Sequence, residues 1–178
     1  VVVYDETTAT GCVKGKLRFQ VSSQSDNAEE RSDGYPATGS ELTFRDSSNE
    51  YIGVRFRNVA LPQDAIIIKA NLEFTAYQTS YNSFASFNIA GVDQDDPSDF
   101  NPHTRNLLRN KPKTASVAWY AIPRWYRNYT YQGPPVTSIV EQIVGRSGWQ
   151  SGNNMMFVFS DFAGVRGAYT YNGKPSGT

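Results

Sequence analysis

Two clusters of carboxylates are the residues in this sequence whose chemistry is easiest to name. Asp26, Glu29 and Glu30 lie close together in a polar, turn-rich stretch, and Asp93 and Asp95 belong to a second acidic loop. Carboxylate oxygens at this density are ligands that Ca²⁺ prefers, although their spacing is not that of an EF-hand. The alternative is that both clusters are solvated turns without a metal. The sequence therefore offers Ca²⁺ as a candidate cofactor and leaves the alternative open.

Aromatic side chains crowd the segment between residues 119 and 131. Exposed rings of this kind serve as flat platforms for sugars when polar groups lie beside them, and Arg124 and Arg127 would supply such groups. The alternative is packing into the core, because aromatic side chains bury large areas. With both interpretations open, the candidate sugar contacts are Trp125, Tyr126, Tyr129 and Tyr131.

Composition excludes several other classes of function. His103 is the single histidine, and no metalloprotease helix, nucleophile elbow or phosphate loop occurs, so we predict that the chain is not an enzyme. The 17 basic and 17 acidic residues balance, which argues against a nucleic-acid surface. No apolar run of about 18 residues exists, so we expect no membrane insertion.

Three features bear on the compartment. Asn128 begins the pattern Asn-Tyr-Thr, an acceptor for N-glycosylation in a secreted protein. Cys12 is alone, and is either a free thiol or the partner of a cysteine in another chain. The chain opens directly on Val1 without a signal-peptide pattern, which fits a processed or partial chain. We expect an extracellular or cell-surface protein.

The element that dominates the chain is a strand predicted over residues 65–78. Its apolar side chains alternate with polar ones at the period of two that is typical of a strand with one buried face. The residues predicted to face the core are Ile66, Ile68, Ala70, Leu72, Phe74 and Ala76. Over residues 51–57 the same alternation predicts that Ile52, Val54 and Phe56 face inward and that Arg55 faces outward.

Further short strands are predicted at 15–21, 41–44, 84–92, 115–119, 155–160 and 165–171, whereas residues 22–39 and 123–135 read as loops. One helix is predicted near 138–145 from apolar residues at helical spacing, with a capping box formed by Ser138 and Glu141. Many short strands separated by turns, with one helix capping an open end, predict an all-β fold. The specific prediction is an antiparallel β-sandwich, similar to a jelly roll.

Several blocks of sequence together resemble a known kind of module. They are residues 21–30, 51–59, 70–76, 139–149 and 152–153. Their order and spacing are similar to a β-sandwich module of large secreted and cell-surface proteins of bacteria and algae, and distantly similar to DNRLRE-type carbohydrate-binding modules. The resemblance covers roughly residues 16–171. It implies a sandwich fold and a secreted setting, and it implies no particular activity.

The two ends of the chain depart from that resemblance. Such modules usually finish with one more apolar strand, whereas this sequence ends on a polar tail after Tyr171. At the other end, the apolar residues Val1, Val2, Val3 and Tyr4 form an extra strand on an arm that we assign to residues 1–14, ahead of a single sandwich domain at 15–178. A sandwich that lacks a strand exposes unpaired backbone groups, and a strand from a neighbouring copy can fill the gap.

These departures give the leading hypothesis. The chain is predicted to be a non-enzymatic, extracellular structural subunit that binds copies of itself head to tail, forming a filament through donation of its N-terminal strand. The second hypothesis is a carbohydrate-binding module of a larger secreted protein, with glycans as partners. The exposure of the aromatic segment discriminates between them.

Overall fold

The computed structural model of this protein describes residues 2–5, 15–45, 50–171 and 173. Val1 of the predicted donor strand and Cys12 lie outside these residues. So do the whole predicted linker at 6–14 and nearly all of the C-terminal tail.

Twelve strands and one helix make up the described part of the chain. A short 3₁₀ turn at Gln24–Asp26 precedes the third strand, and the helix α1 spans Thr137–Val144. The strands are β1 Val2–Asp5, β2 Gly15–Arg18, β3 Asn27–Glu30, β4 Pro36–Ala37, β5 Glu41–Arg45, β6 Tyr51–Phe56, β7 Lys69–Thr75, β8 Ala85–Gly91, β9 Val117–Ile122, β10 Thr130–Pro135, β11 Met155–Ala163 and β12 Val165–Tyr169.

The strands form three antiparallel sheets. One has four strands in the order β10-β7-β1-β2, a second has six in the order β4-β3-β6-β11-β8-β9, and β12 pairs with β5. The predicted all-β class with one short helix is confirmed. Phe74 of the first sheet contacts Phe87 and Phe159 of the second, with ring centroids 6.5 and 5.7 Å away. A shared core between the sheets is compatible with a sandwich, and the finer jelly-roll assignment stays a prediction.

The predicted alternation of the long strand holds over only part of its length. Ala70, Leu72, Phe74 and Ala76 are buried as predicted, but Ile66 and Ile68 are 59% and 49% exposed. The prediction for these two residues was wrong because the strand begins only at Lys69. Ahead of that residue the chain follows an irregular path in which Ile67 is buried instead. A period of two applies only where the backbone is pleated.

The six-stranded sheet is covered on both faces, which the alternation did not reveal. A second apolar cluster packs against its outer face. Arg55 of β6, predicted to face solvent, is therefore only 6% exposed. This second apolar cluster contains Ala28, Val92, Phe100, Leu108, Met156 and Val158.

Three strands occur where the sequence predicted loops. β3 and β4 lie within 22–39, where β3 pairs with β6 and β4 pairs with β3, and β10 lies within 123–135 and pairs with β7. All three carry few apolar residues, so none produced an apolar alternation in the sequence. Their polar side chains are accommodated by partners that are distant along the chain.

The helix α1 is present where it was predicted, but its predicted cap is wrong. The N-cap residue is Val136, and no side chain caps the first turn. Thr137 instead accepts a hydrogen bond at Oγ1 from the backbone N–H of Ala70, at 3.1 Å. The helix packs on β8 at Gly91, where a Cβ atom would lie 2.6 Å from Ile139 and 2.7 Å from Ile143. Among the described residues, no helix combines the length and apolar character that crossing a membrane would require.

Candidate functional site

The predicted donor strand lies inside the four-stranded sheet. The sequence placed it on an arm apart from the domain, whereas Val2–Asp5 is paired on both sides within its own chain. On one side Val2 is opposite Arg18 of β2, and on the other it is opposite Asn71 of β7. Only three residues of β7, Lys69 to Asn71, pair with β1, although β7 is seven residues long.

A groove continues the line of β1 beyond Val2. Leu72–Thr75 of β7 and the segment 19–21 that follows β2 line it, and so do residues 169–171. Its volume is about 180 Å³. This exceeds the roughly 150 Å³ of an engineered apolar cavity that admits benzene, so the groove has room for inserted side chains. No described strand pairs with β7 on this side between Leu72 and Thr75.

Backbone donors of β7 point into the groove. The N–H groups of Ala70 and Ala76 bond to Thr137 and Tyr129 on the β10 side of the strand. Successive residues of a strand direct their backbone groups to opposite sides, so the N–H groups of Glu73 and Thr75 face the groove. Such an unpaired edge is a template for another strand.

The floor of the groove is apolar except at one position. Asn27 lines the groove and is 1% exposed, and among the described residues it has no hydrogen-bond partner at either Oδ1 or Nδ2. Buried amide groups are nearly always bonded, so this side chain marks a place where a bound group would be held. The apolar residues around it are Leu42, Val54, Phe56, Leu72, Phe74 and Ala168.

An ion pair bridges the outer side of the groove. Nη2 of Arg18 lies 2.8 Å from Oε2 of Glu73, so the end of β2 and the open edge of β7 are linked across the gap. Both side chains are partly solvent-exposed, and the pair contributes at most about 1 kcal/mol. Its effect is to fix the spacing of β2 and β7.

The first predicted calcium cluster binds arginines and backbone groups. Asp26 is fully buried, and Nη2 of Arg55 and Nε of Arg57 lie 2.6 and 2.7 Å from its oxygens. Glu29 accepts a short hydrogen bond from the backbone N–H of Thr43. These carboxylates are thereby occupied within the protein.

Glu30 occupies a separate position behind the six-stranded sheet. Its carboxylate is buried and accepts the backbone N–H groups of Leu108 and Arg109 at 2.6 and 3.2 Å. Burial raises the pKa of Glu30, and the two hydrogen bonds oppose that rise. Burial likewise lowers the pKa of Lys111 and Lys113 in the same loop.

Both carboxylates of the second predicted calcium cluster form ion pairs with one arginine. Nε of Arg146 lies 2.6 Å from Oδ1 of Asp95, and Nη1 of the same residue pairs with Asp93. The carboxylates raise the pKa of Arg146. Within the described ranges, no three acidic, histidine or cysteine side chains come together in a way that could hold a metal ion.

Trp125 and Tyr131 are packed together at the core. Trp125 is fully buried and its ring stacks on Tyr131, with centroids 5.1 Å apart and an angle of 11° between the planes. Phe74 stacks against Trp125 at 5.9 Å. A ring covered in this way cannot serve as an open sugar platform, which counts against Trp125 as a sugar contact.

Tyr126 and Tyr129 lie at the surface. They are 52% and 67% exposed, and their rings meet edge to face at 66° rather than in one plane. The guanidinium of Arg124 lies 5.7 Å from the Tyr126 ring centroid. These two tyrosines are the candidate sugar contacts that stay open to a ligand, and Tyr120 of the same segment is also exposed.

Asn128 lies in the turn between those tyrosines. It is exposed, with a left-handed backbone (φ 69°) that asparagine tolerates well. Its Oδ1 accepts a hydrogen bond from the Tyr169 hydroxyl at 3.0 Å. Glycosylation at this residue stays a prediction.

The sequence did not predict that the residues lining the groove come together. Phe74 was predicted to face the core and residues 15–21 were predicted to form a strand, but nothing in the sequence indicated that the two border a groove. The sequence offered one signal, the polar Asn27 next to the small apolar Ala28. Without knowing that this segment pairs with the apolar strand β6, Asn27 cannot be told apart from a residue of a polar turn.

Comparison with known proteins adds no relative. Neither the scan against protein-family models nor the search of the curated proteins gives a match to this chain.

Proposed function

We propose that this chain is a non-enzymatic, extracellular structural subunit that assembles head to tail by exchange of its N-terminal strand. The observation that supports the proposal is the place of β1, between β7 and β2 in the middle of a sheet. The same backbone pairings made with β7 and β2 of a second copy would join two subunits without new contacts.

The pairing is limited enough to be exchanged. β1 is four residues long and contacts β7 through three register positions, whereas β7 and β10 share a more extensive ladder. Nine residues separate β1 from β2. In an extended form, at about 3.3 Å per residue, they reach about 30 Å, which is enough to carry β1 to a neighbour.

Exchange is tested by a disulfide that can form only between copies. One variant carries Tyr4→Cys and the other Lys69→Cys, since these two positions face each other in the register, and both carry Cys12→Ser. Mixing the two variants should give a covalent dimer. A single chain with both substitutions is the control for intramolecular pairing.

Assembly itself is tested by sizing and negative-stain microscopy of the full chain and of a chain lacking residues 1–6. Filaments of the full chain that disappear on deletion are expected. Well-behaved monomers in both samples, with no dimer in the mixing experiment, would contradict the proposal.

The second candidate function is carbohydrate binding at Tyr126 and Tyr129. The observation in its favour is their exposure beside Arg124. Affinity electrophoresis through polysaccharide gels tests it, with the double variant Tyr126→Ala/Tyr129→Ala as control. Mobility that stays unchanged in every gel would remove this candidate.

A further inference from the structure

We propose that Asn128 carries an N-linked glycan whose first sugar packs against the exposed rings of Tyr126 and Tyr129. The proposal rests on the extracellular setting of the proposed function, and it does not depend on strand exchange. It differs from the second candidate function because the sugar held by these two tyrosines is the chain's own.

The side chain of Asn128 presents the atom to which such a glycan is joined. Its Oδ1 accepts a hydrogen bond from the Tyr169 hydroxyl at 3.0 Å, which fixes the plane of the amide. Within the described part of the chain no hydrogen bond occupies its Nδ2, and the residue is exposed. Thr130 completes the acceptor pattern, which occurs once in the sequence. The structure therefore leaves the acceptor atom at the surface.

The turn that carries Asn128 is held in place by hydrogen bonds. The backbone N–H of Tyr129 donates to the carbonyl of Tyr126 at 3.1 Å, and that of Asn128 donates to the carbonyl of Ala76 at 2.8 Å. At the start of the turn, the N–H of Tyr126 donates to the hydroxyl of Tyr131 at 2.8 Å. A surface ordered in advance loses little entropy when a sugar packs on it.

Tyr126 and Tyr129 enclose the acceptor from both sides along the chain. They lie two residues before and one residue after Asn128, and both rings are exposed. Their centroids are 6.3 Å apart at an angle of 66°, so the rings form a corner and not a flat platform. The guanidinium of Arg124 lies over the Tyr126 ring and supports its orientation.

A corner of this shape suits one attached sugar. The C–H groups on one face of a sugar ring carry partial positive charge and pack against the negative face of an aromatic ring. The contact removes apolar surface from water, while the hydroxyl groups of the sugar stay solvated. An extended polysaccharide would need rings that lie in one plane, and these two do not.

The attachment exchanges one bond at the anomeric carbon of the sugar. A bond forms between this carbon and Nδ2 of Asn128, and the bond from the same carbon to the phosphate oxygen of a lipid-pyrophosphate donor breaks. The amide loses one proton, and the lipid pyrophosphate leaves with the electron pair of the broken bond. The secreting cell supplies the donor and the transferase, and this chain supplies the acceptor and the packing surface.

Secretion of the full chain from yeast, followed by peptide mass spectrometry, tests the attachment. We expect a glycan on Asn128 and none in the variant Asn128→Asp, which keeps a residue that tolerates the left-handed backbone at this position (φ 69°). An unmodified Asn128 in the secreted, folded chain would overturn the proposal.

Packing on the tyrosines is tested by removing the glycan in two steps. An endoglycosidase that leaves one sugar on Asn128 should not change the melting temperature. Peptide N-glycosidase, which removes that sugar and converts the asparagine to aspartate, should lower it by about 2–4 °C, the size expected for one modest contact in a chain of this length.

The double variant Tyr126→Ala/Tyr129→Ala should lose this decrease in melting temperature. The matched control is Tyr120→Ala, which removes another exposed tyrosine and should keep the decrease. A wild type whose melting temperature is the same with and without the first sugar would overturn the packing. A decrease of the same size in the double variant would overturn it too.

The same samples separate this proposal from the functions proposed above. Sizing reports assembly, so an occupied Asn128 in a monomeric chain would support the glycan and contradict strand exchange. Affinity electrophoresis reports foreign sugars. If a polysaccharide gel retards the glycosylated chain and the double variant Tyr126→Ala/Tyr129→Ala is not retarded, the rings bind a foreign sugar, and packing on the chain's own glycan is overturned.

Discussion

Arg55 and Asp26 form an ion pair that is closed to solvent. Nη2 of Arg55 lies 2.6 Å from Oδ1 of Asp26, and their side chains are 7% and 0% exposed. Asp26 is the last residue of the turn ahead of β3, and Arg55 lies in β6, so the pair links the start of β3 to the neighbouring strand.

Breaking this pair from one side should destabilise the protein strongly. Asp26→Ala leaves the buried Arg55 guanidinium without its counter-charge, a change that costs about 3–5 kcal/mol. Urea unfolding followed by tryptophan fluorescence measures the loss. The control is Arg31→Ala, which removes the exposed partner of Glu29 at 3.5 Å and should cost under about 1 kcal/mol. Equal losses of unfolding free energy in Asp26→Ala and in the control variant would show that burial does not determine how much the Arg55–Asp26 pair contributes.

Arg166 should be irreplaceable by lysine. It is fully buried, and its guanidinium donates to five backbone carbonyls, including those of Ile122 and Pro123 at 2.6 and 2.9 Å. Burial lowers its pKa. An ammonium group cannot reproduce the planar fork, so Arg166→Lys should cost at least about 2 kcal/mol in the free energy of unfolding. Arg127→Lys is the control at an exposed position, and a similar loss there would contradict the argument.

The pH dependence of stability should contain a contribution from Glu30. Burial raises its pKa in the folded state, so the folded chain binds a proton more tightly than the unfolded chain does. The contribution of this carboxyl to stability is therefore greatest below its unfolded pKa, near 4.5, and falls as the pH rises through its folded pKa. Chemical unfolding of the wild type and of Glu30→Gln across pH 4–8 gives the difference curve. If the unfolding free energy of the wild type minus that of Glu30→Gln stays constant or rises with pH, the predicted direction of the Glu30 contribution is contradicted.

Gly91 should not tolerate a side chain. A Cβ atom there would be 2.6 Å from Ile139 of α1, so Gly91→Ala must displace the helix from β8. Overpacking of this kind costs about 1–3 kcal/mol. Gly15→Ala is the matched control, because in the described part of the chain nothing lies within 4 Å of its Cβ position. Thermal unfolding should give a clearly lower melting temperature for Gly91→Ala than for Gly15→Ala. Equal melting temperatures would be evidence against close packing at Gly91.

The aromatic segment should divide into a core part and a surface part. Trp125→Ala removes a fully buried ring and should cost about 3–5 kcal/mol. Tyr126→Ala and Tyr129→Ala change exposed side chains and should alter stability by less than about 0.5 kcal/mol each. Denaturant unfolding of the three variants provides the comparison. Severe destabilisation by either tyrosine variant would mean that its ring packs rather than binds.

Local patterns in the sequence determined the class of the fold and several of its faces. The alternation predicted that Leu72 and Phe74 of β7 and Ile52, Val54 and Phe56 of β6 are buried, because a pleated strand directs successive residues to opposite faces. The apolar spacing of Ile139 and Ile143 predicted α1 for the corresponding reason in a helix. These predictions need only neighbours along the chain.

Partners that are distant in sequence decided everything about the sites. Asp26 and Glu30 look like solvated or metal-binding acids until Arg55 and the backbone of Leu108 are placed beside them. Trp125 looks like a sugar platform until Tyr131 covers it. Asn27 looks like a turn residue until its pairing with Val54 of β6 places it, buried, among the residues that line the groove. The sequence by itself thus determined which residues are apolar enough to be buried, and tertiary pairing decided which polar groups find partners.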